Sequence, residues 1–433
     1  MSAEILARAV QRSGTDARSR GAAWPPVRKN MRSRSAVPQY LAIRTCFRMA
    51  GSARIGLEAT MPRVIKFGMA VALLAGGLTA TNATAKDLIF AIGLPPIHTW
   101  SKTLAYVDEH IDERSGGALS TEVFYGSLLN LKQGLNGVRD GLADAALLVP
   151  GYHPAEMPQV NLILDLAMLG QNATVLSAAT SEYMFTCPEC LAESEANGSV
   201  FLAMTSNAPY MLLTTEPMTT MESLRGKNIR SFSAFGRWVE YIGGIKMSLS
   251  ANDIYDALSR GTLDANLHPA TELYNLNFKD VAKYITRLPL GTYHGNQFNM
   301  NIDTWRNLTT DERRLLLDLF AEASALTTVQ FQTFNDDILN GGGAADGIQV
   351  LEPAPELVAA TEQFIAEDMA NMEAMARDNY GITDAGPRIA RFTDLIEKWR
   401  GLLAAIDATD VDAVTALYKR EIWDRVDAAR HGM

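Results

Sequence analysis

Six histidines, three cysteines and a few acid pairs are the residues of this chain whose types could carry chemistry. The histidines, His98, His110, His153, His268, His294 and His431, are scattered, with no metal-ligand spacing among them. The pair Asp336-Asp337 sits in a helical, solvated pattern. No G-x-S-x-G, H-E-x-x-H, phosphate-loop or dinucleotide fingerprint occurs. Gly341-Gly-Gly-Ala-Ala-Asp-Gly347 is glycine-rich but lacks the Lys-Ser/Thr that a phosphate site needs, and reads as a flexible turn. Cys187-Pro-Glu-Cys190 has the spacing of a redox pair. Its flanks, however, look like a helix breaking at Pro188 and not like a strand entering a helix. A small local disulfide fits better, and its short loop removes little chain entropy. No metal site and no cofactor is expected, and the residues point to binding before catalysis.

The elements that must position such residues alternate from Lys86 onward. Asp87–Gly93 is a short apolar run bounded by Gly93 and Pro95-Pro96, hence a buried strand. Trp100, Leu104, Val107 and Ile111 then fall on one helical face, which stops at Gly116-Gly117. Leu119–Tyr125 is a second strand, Leu131 to Leu142 a second helix, and Ala143–Val149 a third strand. This order predicts a parallel sheet covered by helices. A second α/β unit follows, with strands at 198–204, 210–215, 247–249 and 262–266, and a helix near 234–242. Ser250-Ala-Asn-Asp253 resembles a helix-capping box, and Thr309-Thr-Asp-Glu312 carries the capping signals of another helix. Residues 296–303 read as a strand returning to the first unit, and long helical patterns cover about 354–379 and 387–430.

The N-terminal region has a different character. Met61 opens a segment with Arg63 and Lys66, then the apolar run Met69–Ala80, then Ala83-Thr84-Ala85. That is the order of a cleaved export signal, and its core is well short of the roughly 20 residues that span a bilayer. Residues 1–60 hold eleven Lys and Arg against three acids and show no sustained apolar period. They are expected to be a disordered or non-native leader, with translation beginning at Met61. Thirteen of the 39 basic and three of the 49 acidic residues lie before Lys86, so the remainder carries a net charge of −20. Such a surface repels nucleic acid and anionic lipid, and an anionic ligand must be met by locally placed cations.

Three stretches carry a family resemblance. Leu224-Arg-Gly-Lys-Asn-Ile-Arg230-Ser-Phe232, the helix around Trp238–Gly244, and Ser248–Asn266 (SLSANDIYDALSRGTLDAN) resemble the DctP-type solute-binding subunit of TRAP transporters. In that family L-[RK]-G-x-x-[IL]-R precedes E-x-Y-x-A-L-Q-x-G-x-x-D-G; here Asp253, Ser259 and Ala265 replace the Glu, the Gln and the final Gly. Gly126–Leu148 is similar to the family's G-x-L-G…G-x-x-D stretch.

The resemblance implies that Arg230 clamps a ligand carboxylate, a role suited to the planar guanidinium fork. Arg225 and Lys227 are expected to be solvated. A second ligand-contacting arginine of the family's sialic-acid binders falls near Tyr210 here, which disfavours a polyhydroxylated acid. His268, near the family's ligand asparagine, either donates to the ligand or caps a turn before Pro269. Trp238 either walls the pocket or packs in the core, and Phe232, Phe235 and Tyr255 share that ambiguity. From the first unit, Leu94, His98, Val149 and Tyr152 stand at strand ends facing the expected cleft. One clamp in an apolar lining implies a ligand with an apolar or aromatic body.

The expected fold is α/β, a two-lobed periplasmic solute-binding protein with hinge strands and a long C-terminal bracing helix. Lobe one is placed at 86–207 with 295–333, lobe two at 208–294, and a helical segment bracing both at 334–433. The implied partners are a small organic acid and the small and large integral-membrane TRAP subunits. The alternatives are an exported enzyme acting in the same cleft, with His98, His153 or His268 as base, and a ligand-sensing subunit of a receptor.

Overall fold

A computed structural model describes residues 85–433. The expected leader at 1–60 and the export segment 61–85, but for Ala85, lie outside the described residues. Strand β1 (Lys86–Ile92) buries Phe90, Ala91 and Ile92, and helix α1 (Ser101–Ser115) lays Leu104, Val107 and Ile111 on the core at the predicted spacing. Gly116 ends that helix at a φ of 63°, a conformation open to glycine. Strand β2 (Leu119–Tyr125) follows, then α2 (Gly134–Arg139) and β3 (Ala145–Leu148). Helix α2 is shorter than the pattern from Leu131 to Leu142 suggested, because Leu142 points to solvent and the buried face ends at Val138. Helices α3 (Pro158–Leu164), α4 (Ala173–Phe185) and α5 (Pro188–Ala196) lead to β4 (Ser199–Thr205), every residue of which is buried. Pro188 stands at the first turn of α5, where proline is tolerated, and Cys187 is joined to Cys190 by a disulfide.

The second unit contains β5 (Met211–Thr214), β6 (Asn228–Arg230), α6 (Ser233–Tyr241), β7 (Ile245–Met247), α7 (Ile254–Ser259), β8 (Ala265–His268) and β9 (Tyr284–Thr286). The capping box expected at Ser250 does not form. The Ser250 hydroxyl bonds the Asn252 side chain instead, and a single tight turn, Ala251–Asp253, leads into α7. Strand β10 (Asn296–Asn301) returns to the first sheet and stops at Asn301, whose side-chain oxygen accepts from the Asp303 and Thr304 amides and starts a helical turn. Helix α8 (Thr310–Asp337) opens with the predicted box, Thr309 and Glu312 each bonding the other's backbone amide.

Two sheets result. The first runs β2-β1-β3-β10-β4, parallel except for β10, which lies antiparallel between β3 and β4 with Gln297 opposite both Leu148 and Met204. The second runs β11-β9-β5-β8-β6-β7, where β11 (Gln349–Leu351) pairs in parallel with β9. The mainly helical segment expected at 334–433 therefore also contributes an edge strand to the second sheet.

After β11 comes α9 (Pro355–Tyr380), which at 26 residues is roughly 40 Å long. Its first half packs on α6, where the Trp238 indole donates to Thr361 Oγ1 at 3.0 Å and Tyr241 meets Phe364 at 5.2 Å. Its far end reaches the residue after α3, Tyr380 Oη donating to Asp165 Oδ2 at 2.7 Å. This is the brace across both lobes. The helix expected over 387–430 is two, α10 (Ala385–Leu403) and α11 (Val411–Glu421), separated where Asp410 caps a new start by accepting from the Asp412 and Ala413 amides. Among the described residues no helix is long and apolar enough to cross a membrane.

Candidate functional site

Strand β6 ends on Arg230, and its guanidinium is wholly buried. Nε donates to Leu249 O at 3.0 Å, Nη1 meets His268 Nε2 at 3.2 Å, and Nη2 donates to Tyr152 Oη at 3.0 Å. The guanidinium carbon, Cζ, lies 4.8 Å from the Phe232 ring centre. Among the described residues no carboxylate pairs with it. That is costly for a desolvated cation, and it contrasts with Arg237, which is held by both Asp165 and Asp368. A guanidinium has five N–H groups, and three are engaged, so two have no partner among the described residues.

The groups around Arg230 are also rich in donors. Tyr152 Oη accepts from Arg230 and from the Ala251 amide (3.2 Å), and Tyr293 Oη accepts from the Gly151 amide (3.3 Å). Tyr210 Oη accepts from Asn207 Nδ2 at 3.4 Å. None of the three hydroxyls has an acceptor for its own hydrogen among the described residues, while burial holds the Tyr210 and Tyr293 phenols protonated, well above the usual range. The rings interlock: Tyr152 and Tyr293 lie 5.7 and 4.9 Å from Phe232, and Tyr210 stacks on Phe235 at 4.2 Å. Gly151 permits this approach, since a Cβ there would stand 2.8 Å from the Phe232 ring.

The structure thus brings Arg230, Phe232, Tyr210, Tyr152 and His268 together, from both sheets. Val149 lies close by in sequence, buried at the turn that leads to Tyr152. His268 Nε2 faces Arg230 Nη1, and its Nδ1 lies beside the Asn266 side-chain amide. Burial first, then Arg230 and His98, push its pKa well below the usual histidine value, so the ring is neutral. Trp238 is a correction: its indole turns away to Thr361 on α9, as core packing. His98 is buried but engaged across the lobes. The Trp100 amide donates to its Nδ1, so Nε2 bears the hydrogen and donates to Glu272 Oε2 at 3.0 Å. Tyr293 was not singled out from the sequence. Its one signal is the glycine on either side of Thr292–His294, and a Cβ at Gly295 would stand 2.6 Å from Tyr293 Oη.

Three residues beyond Arg230 the lobes are fastened. Ser233 adopts a φ of 51°, rare for a residue with a side chain, and its hydroxyl donates to Asp165 Oδ1 at 2.6 Å. Arg237 Nη1 donates to the same oxygen at 3.0 Å, while its Nε and Nη2 take Asp368 on α9 at 2.6 and 2.8 Å. Asn252 Nδ2 adds a bond to Gly93 O at 2.8 Å. Two surface cavities, of about 290 and 380 Å³, lie elsewhere. Around Arg230 the lobes are closed on one another.

Two mixed sheets braced by one helix, with a buried cation between them, define a two-lobed binding protein. The chain belongs to the bacterial extracellular solute-binding protein family 7 (DctP), whose model matches residues 90–375. A solute-binding protein of Albidiferax ferrireducens is 26% identical over 216 residues, which cover 49% of this chain and 63% of that relative. Among solved structures, a TRAP solute-binding protein from Rhodoferax ferrireducens in complex with copurified benzoate superposes with a TM-score of 0.64 at 20% identity, covering 73% of this chain and 99% of that one. A TRAP solute-binding protein from Bordetella bronchiseptica with bound (R)- and (S)-mandelate gives 0.60 at 20% identity, covering 72% and 99%.

Proposed function

We propose that this protein captures a small organic carboxylate between its lobes and delivers it to the membrane subunits of a TRAP-type transporter. The observation that carries the reading is Arg230, a buried guanidinium with two free N–H groups and no acidic partner among the described residues. A carboxylate accepts two parallel hydrogen bonds from such a fork and supplies the missing charge. The hydroxyl hydrogens of Tyr152, Tyr210 and Tyr293 suit an oxygen-rich, acceptor-only ligand end. Phe232 and the tyrosine rings suit a flat or apolar body, as the benzoate and mandelate bound by the two relatives have. The ligand is taken to leave unchanged: of the three candidate bases, His98 is bonded to Glu272 and His268 to Arg230, and recovery of the acid intact tests whether His153 acts on it. Met61 to Ala85 is taken as a cleaved signal that delivers the protein to the periplasm. Lobe one is 86–207 with 295–333, lobe two is 208–294 with β11, and the ligand favours their closed arrangement.

A thermal-shift screen of monocarboxylates, benzoate and mandelate included, tests this reading. A binding acid should raise the melting temperature by a few degrees and be recovered unchanged by mass spectrometry. Arg230→Ala should abolish every shift, since losing a charge-assisted pair weakens binding roughly a hundredfold or more. Shifts that survive the substitution would place the carboxylate elsewhere.

A further inference from the structure

The hydrogens around His268 can be assigned from their neighbours alone. Arg230 is only ever a donor, so the His268 Nε2 that faces Nη1 at 3.2 Å must offer its lone pair. A neutral ring then carries its hydrogen on Nδ1. The group next to Nδ1, at 3.0 Å, is the side-chain amide of Asn266. An amide's oxygen and nitrogen exchange places by a half-turn, and an Nδ1–H group needs the oxygen. The other end of the Asn266 amide is buried with no partner among the described residues, so no competing contact fixes the opposite orientation. The strand register supports this arrangement. Asn266 stands directly across from Arg230 in the β6–β8 pairing, and His268 lies two residues on, so all three share one face of the sheet.

We infer that Asn266 is a positioning residue for the ligand site: its amide oxygen holds His268 as the Nδ1–H tautomer, so that the Nε2 lone pair fixes the Arg230 fork. The inference rests on the reading of Arg230 as the carboxylate clamp. It makes His268 part of the mount for that clamp, with no N–H left to offer a ligand. Protonating His268 would place an N–H against Arg230 Nη1 and break the contact, and burial, reinforced by the neighbouring cation, opposes that protonation.

Side-chain nitrogen NMR of the purified, ligand-free protein reads the tautomer directly. The expected spectrum shows His268 with Nδ1 protonated and Nε2 bare. Asn266→Leu should move the tautomer ratio about tenfold toward Nε2–H and loosen the Arg230 guanidinium, in line with the loss of one buried hydrogen bond. Asn266→Asp keeps an acceptor and should preserve the tautomer. An Nε2–H ring in the unsubstituted protein overturns the inference, even if Asn266→Leu cannot be purified. So does a ring that Asn266→Leu leaves unchanged. No ligand enters these spectra, so their outcome is separate from the carboxylate screen, which alone decides the functional reading.

Discussion

A desolvated guanidinium is oriented by the few acceptors that reach it, and at Arg230 those come from opposite lobes. His268 and Leu249 belong to the second, whereas Tyr152 follows β3 of the first. Tyr152→Phe keeps the ring against Phe232 but strips the acceptor from both Arg230 Nη2 and the Ala251 amide. Calorimetric titration with an acid that the thermal-shift screen identifies should then show affinity weakened about tenfold, the usual effect of losing one such buried contact. Unchanged affinity would mean that Tyr152 does not steady Arg230 for binding. Arg230 was legible in the sequence because its motif is local, running unbroken from Leu224 to Phe232. Tyr293 and the His98–Glu272 contact were not, because their partners lie 142 and 174 residues away. Trp238 was ambiguous since helical spacing does not say which neighbour a buried face meets; α9 decides it.

At the scale of elements, α9 touches one lobe through Trp238 and Tyr241 and the other through Tyr380, and Arg237 ties the three parts together. Opening the lobes must separate Asp165 from Ser233 and Arg237. Arg237→Met should leave Asp368 buried without its cation and cost about 3 kcal/mol of stability by chemical denaturation. The same variant should raise the ligand-free radius of gyration in X-ray scattering, because a fastening of the closed form is gone. An unaltered radius would show that the ion pairs staple the brace without restraining the lobes. Element order was largely readable from periodicity, and ends went wrong where a side chain chose another partner. Ser250 bonded Asn252 and formed no box, Asn301 cut β10 short, and Asp410 began a new helix. The edge strand β11 was hidden, being three residues paired with β9 some 65 positions earlier.

For the molecule as a whole, His294 links the lobes' crossing segment to acid stability. It is fully buried, stacks on Phe392 of α10 at 5.3 Å, and its pKa is pushed down to about 4, chiefly by burial. Between that value and the ordinary 6.5 the unfolded chain binds a proton that the folded one does not. The stability it contributes is therefore complete above pH 6.5 and is lost as the pH falls through about 4, by up to about 3 kcal/mol. His294→Gln should flatten denaturation midpoints over that interval; an equal slope would assign the acid lability to other groups. The sheet order carries a consequence for how the chain assembles. Strand β4 has β10 as its sole neighbour, and the second sheet is completed only by β11, after the chain has revisited the first lobe and run the length of α8. A chain emerging from its N-terminus thus holds β4, every residue of which is buried in the finished fold, unpaired for some 90 residues of synthesis. Each sheet thus takes a strand made after the other lobe's strands, an arrangement that favours late, joint completion of the two.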